Sequence, residues 1–353
     1  EAEIANYLGM ESAVFFPTGV AAQNSALAVH ANLPFRAYRT EPNPVFILHD
    51  TSHLQRYEEK AYSELLGLNA LIAGEPHRIL TADDIAFHLK RLAAVGTAPC
   101  MILVELPHRE LGCQTLEWSE LERMRALADE YNVPLHLDGA RLWEIAPYYQ
   151  RTASKSIKEV VALFDSCYVS FYKGLGALTG AMLLGPTSFI EKAKPWRRRL
   201  GANPYTVMPY ALSCQHSFRS HQGTFDARWQ KLKGLVPLLM EAAGREGCCF
   251  RTVPEVPQCC QVYACIGAPE GVGAAAAGTT EGAGDDAVVA AMDAARDAVD
   301  AQLGRRVFNR LIGPLPPRVG ERDDDASESG GGSEAGETHS VPAAPILCLG
   351  VVG

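Results

Sequence analysis

The sequence predicts an α/β fold in which a mostly parallel sheet is covered by helices on both faces. Three observations predict it. Short apolar runs recur through the first two hundred residues. Stretches of helical composition separate them. Finally, Asp138 and Lys173 stand where apolar runs end, at the edge where open α/β sheets place their sites.

The elements follow in order. Glu3 to Leu8 reads as the end of a helix, stopped at Gly9. Ala13 to Phe16 is a short strand, and Pro17-Thr18-Gly19 a turn. Val20 to Ala31 is a helix rich in Ala and Leu. Val45 to Leu48 and Met101 to Leu106 are the second and third strands. Trp118 to Tyr131 is an amphipathic helix, with Leu121, Met124, Leu127 and Ala128 on one face. Pro134 to Asp138, Ser166 to Phe171 and Ala181 to Leu184 complete six strands, the last ended by Gly185-Pro186.

After Arg199 the texture changes. Tyr205 to Glu246 reads as helical and long enough to link two lobes. Phe250 to Ile266 has β character. Gly267 to Gly284 is rich in Ala and Gly, as a flexible insertion is. Val288 to Leu311 reads as a helix, Pro314 to Pro345 as disordered, and Ile346 to Val352 as a strand.

The chain has 353 residues, of which 47% are hydrophobic, enough to bury a core without disulfides or metals. Lys and Arg total 32 against 41 Asp and Glu, a net charge of −9. That balance argues against nucleic acid or an anionic membrane surface as partner. No apolar run approaches the ~20 residues that span a bilayer. The start is acidic, unlike a secretory signal. The first residue is not Met, so a processed, cut or incomplete chain is expected. Of the 10 cysteines, Cys248-Cys249 and Cys259-Cys260 do not match zinc spacing and read as free thiols.

Four constellations carry chemistry. In Ser170-Phe171-Tyr172-Lys173-Gly174-Leu175-Gly176, a lysine follows an apolar strand. Desolvation there favours the neutral amine that a Schiff-base lysine needs, and Ser170 is placed to donate to a phosphate. The structural alternative is a surface lysine. In His136-Leu137-Asp138-Gly139-Ala140-Arg141, Asp138 needs a cationic partner. A protonated pyridine nitrogen is one; an internal pair with Arg141 is the other. Pro17-Thr18-Gly19-Val20 precedes a helix whose first amides suit a phosphate, or is an ordinary turn. His49 and His53 lie four apart without a third ligand at a recognisable spacing, so no metal is expected. An imidazole over a cofactor ring accounts better for His53. Gly174 to Gly180 mimics a dinucleotide fingerprint, but its third glycine is late and it leads into a strand.

Together these pieces resemble the threonine aldolase and β-eliminating lyase family of pyridoxal-phosphate enzymes, of the aspartate aminotransferase fold type I. The resemblance rests on Phe15-Phe16-Pro17-Thr18-Gly19, His53 with Glu58, and Glu105-Leu106-Pro107-His108-Arg109-Glu110-Leu111-Gly112. It continues through His136 to Trp143 and Ser170 to Gly176, in order over about two-thirds of the chain. It implies a seven-stranded, mostly parallel sheet with helices on both faces and a small C-terminal α+β lobe. The large pyridoxal-phosphate domain would be residues 1–210, without its N-terminal part. Residues 211–353 would hold a linking helix and the lobe, with insertions near 267–285 and 314–345.

The resemblance also implies roles. Lys173 would bind the cofactor covalently, and Asp138 would pair with its ring nitrogen. Thr18, Gly19 and Val20 would cradle its phosphate, with Ser170 near. His53 would stack on the ring. Arg141 would hold the substrate carboxylate or the cofactor's oxygen side. His108 matches a histidine near the substrate side chain, and His53 and His108 are the candidate bases. The phosphate turn lacks the family's second hydroxyl, at Val20. The glycine-rich run after the lysine strand reads Leu200 to Pro204, and Arg318 gets no assignment. The implied reaction is cleavage of a β-hydroxy-α-amino acid, such as threonine, to glycine and an aldehyde. A β-elimination, or a non-catalytic relative, is the rival. The implied partners are an amino acid substrate and further copies in a homodimer or homotetramer. The expected compartment is the cytoplasm, an organelle staying open while the natural start is missing.

Overall fold

The computed structural model describes residues 1–33, 43–245, 249–267 and 346–350. Strands β1 (Ser12–Phe16), β2 (Val45–His49), β3 (Asn69–Ala73), β4 (Ile102–Glu105), β5 (Leu135–Gly139), β6 (Ser166–Ser170) and β7 (Ala181–Gly185) build one sheet. Their order is β1-β7-β6-β5-β4-β2-β3. From β3 through β2, β4 and β5 to β6 every pairing is parallel. β7 runs antiparallel to both its neighbours. The expected α/β architecture with a seven-stranded, mostly parallel sheet is what the chain forms.

Alternation along the strands sends side chains into cores on opposite faces, because successive Cβ atoms point to opposite sides. In β1, Phe15 enters one core while Val14 and Phe16 enter another. In β4, Ile102 and Val104 join the first core, and Leu103 joins a third cluster with Phe46 and Leu48 of β2. Both faces of the sheet are therefore dry, and its strands read as unbroken apolar runs.

Helices α1 (Ala2–Leu8), α2 (Gly19–His30), α3 (His53–Tyr57), α4 (Ala61–Glu64), α5 (Ala82–Ala94), α6 (Trp118–Glu130), α7 (Leu142–Thr152), α8 (Ile157–Val161) and α9 (Thr187–Arg199) fill the connections. α1 ends at Gly9 in the left-handed conformation, where φ is 76°. Leu121, Met124 and Ala128 of α6 are buried and Leu127 half-buried, as the periodicity predicts. α10 (Met208–His221) and α11 (Phe225–Arg245) follow. The single helix expected from Tyr205 to Glu246 is thus broken around Gly223, where glycine offers no helical preference.

β3 has no counterpart among the six runs read from the residues. It is an edge strand paired only with β2, with Asn69 exposed and Ala70, Leu71 and Ile72 half-buried, so its apolar signal is diluted. β8 (Cys249–Val253), β9 (Gln261–Gly267) and β10 (Ile346–Gly350) form a second sheet in the order β10-β9-β8. The described residues fall into two compact units. The first holds Glu1–Gly234, Val253–Val262 and Gly350. The second holds the described parts of Leu235–Thr252 and Tyr263–Leu349. Apart from Gly267, the expected insertion at 267–285 lies outside the described residues. So do the helix Val288 to Leu311, the stretch 314–345 and Arg318. No described helix is long and apolar enough to cross a membrane.

Leu137, in central strand β5, is 0% exposed. Leu137→Ala is expected to lower the unfolding free energy by about 2–5 kcal/mol, through lost transfer energy and a cavity. Urea unfolding followed by circular dichroism checks this; a loss under about 1 kcal/mol would contradict such packing.

Candidate active site

The carboxyl ends of the parallel strands converge on one pocket. Gly19, Val20, His53, Asp138, Arg141 and Lys173 all line it, as do Glu58, Glu105, Arg109, Tyr168 and Tyr172. Six of the nine residues singled out from the sequence therefore meet in one place. Thr18, Ser170 and His108 do not line it.

Asp138 ends the apolar run of β5 and is 2% exposed. Its Oδ1 accepts from the Ala140 amide at 3.1 Å and its Oδ2 from the Gln23 side-chain amide at 2.7 Å. Burial and the nearby Glu105 push its pKa up; Lys173 and His53 work to lower it. Glu105 stands directly across the strand pair from Asp138. Its Oε2 accepts from the His53 amide and its Oε1 from the Arg109 amide, both at 3.0 Å. Two carboxylates at adjacent strand ends favour a cation between them.

His53 opens α3, and its Nδ1 lies 3.1 Å from Glu58 Oε1. Burial works to lower the histidine's pKa. The Glu58 hydrogen bond, with the charges of Asp138 and Glu58, outweighs it, and the net shift is upward. Glu58 itself is raised, because its own burial outweighs His53. Among the described residues, Glu58 Oε2 has no hydrogen-bond partner. A neutral His53 donating from Nδ1 to this carboxylate presents Nε2 as its acceptor.

His108 is 2% exposed. Its Nε2 lies 2.9 Å from Thr51 Oγ1, which is 3.0 Å from His49 Nδ1. Burial drops the His108 pKa to about 4, so the ring is neutral. The two imidazoles meet edge to face, with centroids 4.7 Å apart. No group of three or more metal-ligating side chains occurs among the described residues. Cys259 and Cys260 are buried free thiols, while Cys248 is outside the described residues and the Cys249 side chain is not described.

Lys173 is half-buried, three residues past the end of β6, with Nζ 5.9 Å from the Tyr172 ring centroid. Arg141 bonds Glu144 Oε1 through Nη1 at 3.0 Å, while its Nε has no partner among the described residues. The backbone beside Lys173 needs glycine there. A Cβ on Gly174 would lie 2.7 Å from Glu144 Oε1 and displace the carboxylate that aims Arg141. Thr18 caps α2, its hydroxyl accepting from the Ala21 amide at 3.3 Å. This leaves the first amides of α2 facing out at the pocket's edge. A Cβ on Gly19 would lie 2.0 Å from the Tyr168 hydroxyl, so tyrosine and helix start can approach only because residue 19 is glycine. Ser170 is fully buried, and its Oγ has no partner among the described residues.

Glu105 and Tyr172 lie inside the stretches that carry the resemblance but received no role there, and Tyr168 and Gln23 gave no functional signal in the sequence. Glu105 and Tyr168 become visible once strand register is known, since they flank Asp138 on β4 and β6. Gln23 lies 115 residues from its aspartate, and nothing local to helix α2 marks it.

The family model for β-eliminating lyases matches residues 1–241. Over 210 residues the chain is 29% identical to a low-specificity L-threonine aldolase of Arabidopsis thaliana, covering 57% of this chain and 54% of that one. It is 31% identical over 202 residues to an alanine racemase of Cochliobolus carbonum, covering 57% and 48%. The chain spans about half the length of these curated relatives. Among solved structures, a putative L-allo-threonine aldolase from Listeria monocytogenes superposes with a TM-score of 0.72 at 30% identity. That match covers 99% of this chain and 79% of that one.

Glu58→Gln is expected to lower the His53 pKa, because the carboxylate that favours the imidazolium is gone while the desolvation stays. Histidine NMR titration of both proteins measures it; an unchanged midpoint would mean that the Glu58 pairing does not set the charge of His53.

Proposed function

The chain belongs to the β-eliminating lyase family, and from that premise we propose that it is a pyridoxal-phosphate-dependent lyase. It cleaves a β-hydroxy-α-amino acid between Cα and Cβ to glycine and an aldehyde. One observation carries the reading. Lys173, Asp138, Arg141, His53 and the start of α2 line a single pocket.

The residues fit the cofactor. Asp138 is a buried acid with pKa raised by its surroundings, and it gains by facing a cationic ring nitrogen. The amides of Gly19 and Val20, with the Thr18 hydroxyl, suit a phosphate at the start of a 12-residue helix. Lys173 supplies the amine that bonds the aldehyde carbon. Arg141 Nε, buried and without a partner among the described residues, marks capacity that protein contacts leave unused, whereas Ser170, fully buried, does not line the pocket. When bound, pyridoxal phosphate supplies a conjugated ring that takes up the electron pair left at Cα.

The chain's own groups do the rest. Arg141, aimed by Glu144, holds the substrate carboxylate. His53 would stack on the ring, and its Nε2 would accept the β-hydroxyl proton. The O–H electrons become the aldehyde C=O as the Cα–Cβ bond breaks, and Cα then takes a proton to give glycine. We assign the base to His53 rather than His108, whose ring is buried away from the pocket wall. The same reading includes a homodimer or homotetramer and a division into a large domain over 1–210 and a linking helix with a smaller lobe over 211–353. It also includes a cytoplasmic site of action, supported by the buried free thiols.

The purified full chain with added pyridoxal phosphate is expected to show a visible absorption band that Lys173→Ala abolishes. Threonine should then yield glycine and an aldehyde, and Asp138→Ala should keep the band but lose roughly 10²–10³-fold in turnover. No band in a chain whose circular dichroism is intact would overturn the cofactor reading. Pyruvate and ammonia in place of glycine and aldehyde would replace cleavage with elimination.

A further inference from the structure

Behind Asp138, on the side away from the pocket, runs a chain of buried hydrogen bonds. Gln23 Nε2 donates to Asp138 Oδ2 at 2.7 Å. His136 Nε2 lies 2.8 Å from Gln23 Oε1. His136 Nδ1 lies 2.6 Å from Ser166 Oγ, and His30 Nε2 lies 2.7 Å from the same oxygen. Three elements supply these groups at the spacings their geometry demands. His136 and Asp138 are two apart on β5, on one face. Ser166 stands directly across from His136 on β6. Gln23 and His30 are seven apart on α2, two turns along the same side.

Donor and acceptor identities fix the direction of the whole chain. An ionised carboxylate only accepts, so the Gln23 amide nitrogen must face it. The Gln23 oxygen only accepts, so His136 must carry its proton on Nε2. Burial keeps His136 neutral, so its Nδ1 accepts and Ser166 must donate to it. The serine's single proton is then used, and its oxygen accepts from His30 Nε2–H. Every hydrogen therefore points toward Asp138. A proton on Asp138 Oδ2 would break this order at its first step, because two donors would meet, and repair needs a flip of the Gln23 amide and a new His136 tautomer.

We propose that Gln23, His136, Ser166 and His30 are positioning residues that hold Asp138 ionised and fix its orientation by a one-directional hydrogen-bond chain. Its use for a ring nitrogen rests on the function proposed above; the chain itself does not. Other groups also surround Asp138: Glu105 and Glu58 disfavour its charge, Lys173 and His53 favour it, and Cys167 and Tyr168, whose own ionisation Asp138 opposes, stand beside it as neutral groups. The test therefore alters the relay and leaves those six in place.

The test is NMR of the full-length protein with ¹⁵N-histidine and ¹³C-aspartate labels, from pH 8 down to pH 5. His136 is expected as the Nε2–H tautomer in the wild type. Gln23→Met, similar in shape and unable to donate, should raise the Asp138 protonation midpoint by about one pH unit or more, a tenfold change in its proton affinity. Ser166→Ala should keep the Nε2–H tautomer, because the Gln23 oxygen sets it, and remove the hydrogen bond accepted at Nδ1, seen as a shift of the Nδ1 resonance that Ser166→Thr does not show. His136 found as the Nδ1–H tautomer, or an unmoved Asp138 midpoint in folded Gln23→Met, would overturn the proposal. Should Gln23→Met not fold, the Ser166 pair decides alone, and an Nδ1–H tautomer in either variant, or an Nδ1 resonance equal in both, would overturn it. Adding pyridoxal phosphate separates the two readings. An Asp138 signal that the cofactor leaves unchanged removes the proposed ring contact and leaves the relay standing.

Discussion

Asp138 sits almost without water at the end of a central strand, and taking a carboxylate out of water costs several kcal/mol even after relaxation. The architecture around it offsets that cost with oriented donors rather than with a fixed cation. One oxygen takes a backbone amide from its own turn; the other takes the Gln23 amide from the helix packed over the sheet. Neither donor neutralises the charge. The carboxylate keeps its appetite for a positive partner on the pocket side, where Lys173 and His53 stand. A salt bridge to an arginine would have stabilised the aspartate more directly and removed that appetite. Arg141, three residues on, is instead tied to Glu144.

The doubly covered sheet makes this arrangement possible. Because both faces are dry, polar groups at strand ends have few competitors, and register decides which of them meet. Glu105 on β4, Asp138 on β5 and Tyr168 on β6 share one row across three strands. Glycines at 19 and 174 then let a helix start and a loop come close enough to close the row into a pocket. An alanine at either place would meet an oxygen well inside van der Waals contact.

Much of this was legible in the sequence, for physical reasons. Strands buried on both faces are unbroken apolar runs, so their ends are marked, and Asp138 and Lys173 stood out as polar residues at those ends. α2 was legible through its turn residues and composition. Edge strand β3 was not, because an exposed edge dilutes the apolar signal. The break between α10 and α11 falls at Gly223, but α11 runs on through Gly234 and Pro237, so glycine alone does not mark a break in the sequence. Glu105, Tyr168 and Gln23 matter through contacts across strands or across 115 residues of chain, which no local pattern carries. His108 was legible as a candidate, but its depth below the pocket wall was not, since burial of a loop residue depends on what packs over it.

The proposed cofactor constellation does not by itself choose a reaction. Relatives of similar identity carry the names aldolase and racemase, and a lysine, a buried acid and a phosphate cradle serve both chemistries. The choice lies in which bond at Cα is made weak and which proton has an acceptor within reach. Loss of a Cα proton needs a base at Cα; cleavage of Cα–Cβ needs one at the β-oxygen. The Glu58 contact fixes His53 with Nδ1 inward, so its remaining nitrogen is the one free to meet a substrate oxygen. The carboxylate beneath it has a second oxygen without a partner, so a proton taken at Nε2 raises the ring's charge beside an acceptor able to hold it. On the proposed reading, that pairing favours taking and returning a hydroxyl proton, the one exchange that cleavage requires and racemisation does not.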